Sequence, residues 1–104
     1  MAKHAIVATL ELEPGTRDDV VAALVAHRQR SLRDEPGTLQ FEVLVPNDEP
    51  NKVVLFELFE SEAAFAAHSS AASIATVRQA IGPSIVSAHD VPCGLGADPG
   101  ATRP

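Results

Sequence analysis

Residues 52–60, Lys-Val-Val-Leu-Phe-Glu-Leu-Phe-Glu, are apolar on both alternating rows. Val54, Phe56 and Leu58 fall on one row; Val53, Leu55 and Phe59 fall on the other, where Glu57 interrupts them. Successive side chains of a strand point to opposite faces, so a strand of this kind must be covered on both sides. Residues 4–12 repeat the pattern, with Ile6, Ala8, Leu10 and Leu12 set against Ala5 and Val7. A chain of 104 residues makes one domain with a modest core, which leaves few helices to supply that cover.

The order of elements follows from periodicity and from the breakers between segments. Residues 4–12 read as a strand that Pro14-Gly15 ends. Thr16 stands where a helix N-cap is expected, with Asp18 and Asp19 in the first turn, where the helix dipole favours negative charge. The helix is expected to run to about Asp34, with Val20, Val21, Leu24, Val25, Arg28 and Leu32 at helical spacing, until Glu35-Pro36-Gly37 breaks it. Residues 38–45 alternate, placing Leu39, Phe41, Val43 and Val45 on one side and Gln40 and Glu42 on the other. The cluster Pro46-Asn47-Asp48-Glu49-Pro50-Asn51 is a turn, which makes residues 52–60 the partner strand of a hairpin. Ser61 is expected to cap a second helix ending near His68 or Ser70. A further turn or helix carries Ile74, Val77 and Ile81 and leads to Gly82-Pro83. Residues 84–92 read as a last strand with Ile85, Ser87, His89 and Val91 on one row. The folded domain is thus expected over residues 1–93, followed by a flexible Gly/Ala/Pro-rich tail over 94–104.

This β-α-β-β-α-β order is the ferredoxin-like α+β arrangement, with helices on one face of an antiparallel four-stranded sheet. Its other face should then be polar, and here it is apolar. The same face of a second copy is the simplest cover, so a homodimer packed sheet to sheet is expected.

Composition narrows the function classes. With 45% hydrophobic and 21% charged residues the chain reads as a soluble globular protein. A net charge of −6 with no Lys/Arg cluster argues against nucleic acid or an anionic membrane as partner. Neither a signal peptide nor a transmembrane run of 18 apolar residues is visible, and a cytoplasmic location is the expectation. The single Cys93 excludes a disulfide framework. No His/Asp/Glu set has metal-ligand spacing, so no metal is expected.

Two residues stand out as candidates for chemistry: His68 on the second helix, and Glu57 inside an apolar strand row. Histidine ordinarily titrates near pH 6.5, which suits His68 to a general base, although a packed core histidine has the same pattern. A carboxylate left unpaired at Glu57 would be costly, so it is expected to have a partner in a loop or in the other subunit. Glu57 also stands with Phe41, Phe65 and Arg28 as a candidate substrate contact. His27 and Arg28 fall at the edge of the first helix's apolar stripe and read as solvated boundary residues, although an arginine there suits an anionic substrate. His4 and His89 read as surface residues at strand ends.

The run from Pro36-Gly37 through Phe41-Glu42-Val43 to Glu57-x-Phe59-x-Ser61-x-x-Ala64-Phe65-x-x-His68 resembles the antibiotic biosynthesis monooxygenase superfamily of small dimeric α+β barrels. The resemblance spans roughly residues 3–92. It implies the ferredoxin-like fold, the dimer, a small-molecule substrate and His68 as the functional histidine. The superfamily includes cofactor-independent quinol and anthrone monooxygenases, haem-degrading enzymes and an autoinducer-processing branch. The Leu39–Leu44 segment and Ala66-Ala67-His68 look nearest to the quinol-monooxygenase and autoinducer-processing branches. A second histidine is often found a few residues beyond the helical one, and Ser73 stands there in this chain. Phe59 replaces a frequent Trp, and the chain has neither Trp nor Tyr, so a haem role is not expected. What the resemblance implies is a cofactor-free monooxygenase for a small phenolic, quinol or anthrone-like substrate. An isomerase of a small oxygenated metabolite and a non-catalytic binding module stand beside it.

Overall fold

The computed structural model describes residues 2–98. Strand β1 (His4–Leu12) leads into helix α1 (Arg17–Asp34), followed by the hairpin β2 (Thr38–Leu44) and β3 (Lys52–Phe59). Helices α2 (Glu62–Ser69) and α3 (Ala72–Ile81) come next, then a single 3₁₀ turn (Gly82–Ser84) and strand β4 (Ile85–Cys93). All pairings are antiparallel and the strand order is β2-β3-β1-β4, the ferredoxin-like sheet. The stretch expected to be a turn or helix around Ile74–Ile81 is a full helix, α3, which packs against α1.

Register assigns the rows. Ile6 lies opposite Glu57, Ala8 opposite Leu55 and Leu10 opposite Val53 across β1–β3. Phe41 meets Glu57 and Val43 meets Leu55 across β2–β3. These residues face the helices; apart from Glu57, and with Val43 packed at the margin, they form the core with Leu12, Phe59, Val20, Leu24, Val77 and Ile81. Two parts of the expected row assignment change. An irregularity between Thr38 and Gln40 turns Leu39 out of the ladder, leaving it 43% exposed, and Val45 lies past the end of β2 and is exposed. A second irregularity between Glu11 and Leu12 puts Ile85 opposite Leu12 on the helix side, whereas Ser87, His89 and Val91 share the opposite face. An extra residue in one strand re-aims every side chain beyond it, and alternation alone does not show where the extra residue sits.

Helix α1 buries Val20, Leu24, His27 and Ser31, a stripe at offsets of four, three and four. Val25, expected on the core side, is instead exposed. Thr16 occupies the N-cap position, but its hydroxyl donates to Glu13 O at 2.7 Å and not into the helix. Gly15 enters the turn before it with φ 81°, a left-handed conformation that glycine adopts without a Cβ clash. Ser61 caps α2 as expected, its Oγ accepting from Ala64 N at 3.1 Å.

The start of α2 approaches the loop before β2 closely. Glu60 N donates to Gly37 O at 2.9 Å, and a Cβ added at Gly37 would lie 2.5 Å from Ala64 Cβ. Only glycine permits this approach. Gly37→Ala is therefore expected to cost about 1–3 kcal/mol through overpacking. Thermal melts check this, and Gly37→Ala combined with Ala64→Gly should recover most of the loss.

Of the tail expected over 94–104, residues 99–104 lie outside the described residues. Before them, Asp98 Oδ2 accepts from the Lys3 backbone N–H at 2.6 Å.

Candidate active site

A cavity of about 190 Å³ opens between the helix-facing side of the sheet and the helices. Ile6, Leu10 and Leu55 form its floor, Leu24, His27 and Phe41 one wall, and Phe65, His68 and Val77 another. Its polar lining comes from His27, Glu57, His68, Ser69, Arg78 and Asp90. An apolar hollow with a few convergent polar groups is the usual form of a small-molecule site.

His68 comes from the last turn of α2 and is only 3% exposed. Its ring packs 5.1 Å from Phe59 and 6.1 Å from Phe41, centroid to centroid. Both nitrogens meet carboxylates. Nδ1 lies 2.6 Å from Glu35 Oε1, and Nε2 lies 3.5 Å from Glu57 Oε1. Glu35 Oε1 also accepts from Thr38 Oγ1 at 2.8 Å. A carboxylate oxygen held in this way accepts the Nδ1 proton, which assigns the lone pair to Nε2 on the side of Glu57 and the cavity. Glu35 stands behind the histidine as its orienting group and does not line the cavity.

In the sequence Glu35 reads only as part of the helix break. It is the C-cap of α1, where its backbone N–H bonds Ser31 O, and the break itself turns its side chain towards α2. The 33-residue separation from His68 explains why no local pattern marks the pair.

Glu57 is 8% exposed and faces the cavity from β3. Burial, then the nearby Asp90 and Glu35 charges, push its carboxyl up to about 7, so a large share is protonated near neutrality. Its partner was expected in a loop or in the other subunit; within the chain the neighbour is His68, whose Nε2 lies 3.5 Å from Glu57 Oε1. Phe41 is fully buried in one cavity wall, and Phe65 is half-buried in the other.

Two residues stand elsewhere than expected. Arg28 lies outside the cavity: its Nε donates to Phe41 O at 2.6 Å and sits 3.6 Å from Glu42 Oε1, bracing the edge of β2. His27 is not a boundary residue but is buried, 2% exposed, on the cavity wall. One helical step separates the two, and the stripe of α1 runs through His27. Arg78 and Asp90, which the sequence reading did not single out, line the cavity from α3 and β4. Among the described residues, no group of three or more His, Cys, Asp or Glu side chains is arranged to hold a metal ion. Nor is any described helix long and apolar enough to cross a membrane.

An antiparallel sheet that closes an apolar hollow with a few polar groups under its helices defines a ferredoxin-like α+β protein with a pocket of small-molecule size. The chain belongs to the antibiotic biosynthesis monooxygenase family, whose model matches residues 4–80. The structure is similar to that titled "Putative antibiotic biosynthesis monooxygenase from Nitrosomonas europaea", with TM-score 0.86, 22% identity and 92% of each chain covered. It is also similar to protein SO0527 from Shewanella oneidensis, with TM-score 0.82 and 26% identity over 90% of this chain and 91% of that one. No curated protein matches the sequence significantly.

Proposed function

We propose that this chain is a cofactor-independent monooxygenase that oxidises a small phenolic, quinol or anthrone-like substrate with O₂, His68 acting as general base. The observation that carries the reading is His68 held between Glu35 and Glu57, its basic nitrogen directed to an apolar cavity. Dioxygen is a triplet and reacts slowly with closed-shell molecules, so the substrate must first become electron-rich. Removing a proton does this, and a water-poor site preserves the anion.

For a substrate with a CH₂ activated by phenolic rings, His68 takes one proton. The carbanion passes an electron to O₂, and the two radicals combine as a peroxide. Loss of the second C–H proton then breaks the O–O bond, leaving a ketone on the substrate and releasing water. All four electrons come from the substrate. The departing hydroxide needs a proton, and the protonated Glu57 carboxyl faces the same cavity.

The same pair of a base and a carboxylic acid also suits enolisation without oxygen, the isomerase reading. Oxygen uptake separates the two. Uptake by the purified protein with hydroquinones, anthrones and naphthols should exceed the autoxidation blank and be lost in His68→Ala. Proton exchange at the substrate with no uptake would move the function to an isomerase.

The sheet face away from the helices supports a homodimer as part of the proposal. Val7, Val54, Phe56 and Leu58 are only half-buried there, and Leu44 and Val91 are exposed. Sedimentation should report a dimer for the native chain and a monomer for Phe56→Glu, because a charge at the centre of an apolar interface is left unpaired. A native monomer at micromolar concentration would remove the dimer from the proposal.

A further inference from the structure

The cavity holds a second imidazole that the mechanism above does not use. His27 packs edge-on to Phe41, with centroids 5.5 Å apart at 79°, and its ring lies 5.4 Å from that of His68. Its Nδ1 is buried without a hydrogen-bond partner. Buried polar atoms are nearly always paired, so a lone one on a cavity wall points to a partner that arrives with the ligand. As a space-filler between Leu24 and Ser31, leucine or phenylalanine would serve without that cost. His27 lines the cavity, and a half-turn about Cβ–Cγ exchanges the two edges of its ring.

The groups around His27 decide its charge. Burial first, then His68 and Arg30, lower its pKa to about 4 against an opposing effect from Glu35, and Phe41 adds no charge. At neutral pH the ring therefore carries one N–H and no charge. A neutral donor fixed in advance at the place where negative charge develops stabilises that charge without reorganisation.

We propose that His27 contacts the substrate, donating its ring N–H to the oxyanion formed when His68 removes a proton, so that the cavity takes small aromatic or enolic ligands with an acidic hydroxyl. This rests on the reading of His68 as base and extends it: the anion lies between the imidazolium of His68 and the N–H of His27. Selection is then for acidity of the hydroxyl as well as for shape.

The test uses 4-nitrophenol, which is too electron-poor to reduce O₂ and whose ionisation is read directly by absorbance. Titrated on the native protein, the bound phenol should ionise at lower pH than the free one. In His27→Phe its bound pKa should rise by about one unit, a roughly tenfold weaker preference for the anion. His27→Gln, which keeps an N–H donor, should recover part of the shift. An equal bound pKa in all three proteins overturns the proposal, and so does the absence of saturable binding at millimolar 4-nitrophenol. If His27→Phe does not fold, the ¹⁵N signals of the His27 ring in the native protein decide: they move on adding 4-nitrophenol, or the proposal fails. None of these readouts needs turnover. Missing oxygen uptake with an intact His27 effect sinks the monooxygenase alone, and uptake without a His27 effect sinks this inference alone.

Discussion

Replacing His68 with alanine or glutamine is expected to lower turnover by roughly 10²–10⁴-fold, the range for a positioned general base. The alanine variant also leaves a hole among Phe59, Phe41 and His27, and its melting temperature should fall. Glutamine fills more of the space and keeps an amide for Glu35, so it separates chemistry from packing. Glu35→Gln is the companion variant. Its amide oxygen still accepts from Thr38 Oγ1 and from Nδ1–H, so ring orientation survives while the charge behind the imidazolium is lost. About a tenfold fall in kcat is expected, with a smaller change in KM, because the lost interaction strengthens only as His68 gains its proton. Turnover by both His68 variants within threefold of the native rate would end its assignment as base.

The second large effect is on stability as a function of pH. Glu57 titrates near 7 in the folded chain against an ordinary value of 4.5. Between those values the folded state holds a proton that the unfolded state has released, so stability falls as pH rises through the window. His27 works in the opposite direction. Its pKa of about 4 against an ordinary 6.5 means that the unfolded state holds the extra proton in between, and stability rises with pH. Each window spans about 2.5 pH units, worth about 3 kcal/mol. The two slopes nearly cancel between pH 4.5 and 6.5, and the native chain should show little net pH dependence from this pair. Single variants expose each slope. Glu57→Gln should gain stability steadily from pH 4 to 6.5, and His27→Phe should lose it from pH 4.5 to 7. Urea midpoints at half-unit intervals check both, and parallel pH profiles for the two variants would show that neither group carries the assigned proton.

Several features of the site were legible before any tertiary contact was known. Ser61 followed by the Glu62–His68 run marks a capped helix, which fixes His68 in a last turn one helix beyond a hairpin. The period-two runs of β1 and β3 identify two strands apolar on both rows, and the order of breakers dictates the ferredoxin-like topology. Glu57 draws notice because a charge inside an apolar row is expensive, and the structure buries it beside the site histidine. In each case the signal is a local period or its violation, carried by residues a few positions apart.

Other features had no such signal. Apolar spacing places the buried stripe of α1 through Val25 and Arg28, whereas the folded helix turns His27 and Ser31 inward. A polar residue contributes nothing to a hydrophobic period, so the stripe was invisible where His27 and Ser31 continue it. Glu35 reads as a breaker because its partner is 33 residues away, and Arg28 turns to the carbonyl of Phe41 on β2, an edge strand of the sheet. Sequence by itself determined the elements, their order and the histidine. Tertiary structure alone decided the histidine's partners and the second imidazole beside it, because burial and long-range pairing set the energy of a polar group, and neither is a property of its neighbours in the chain.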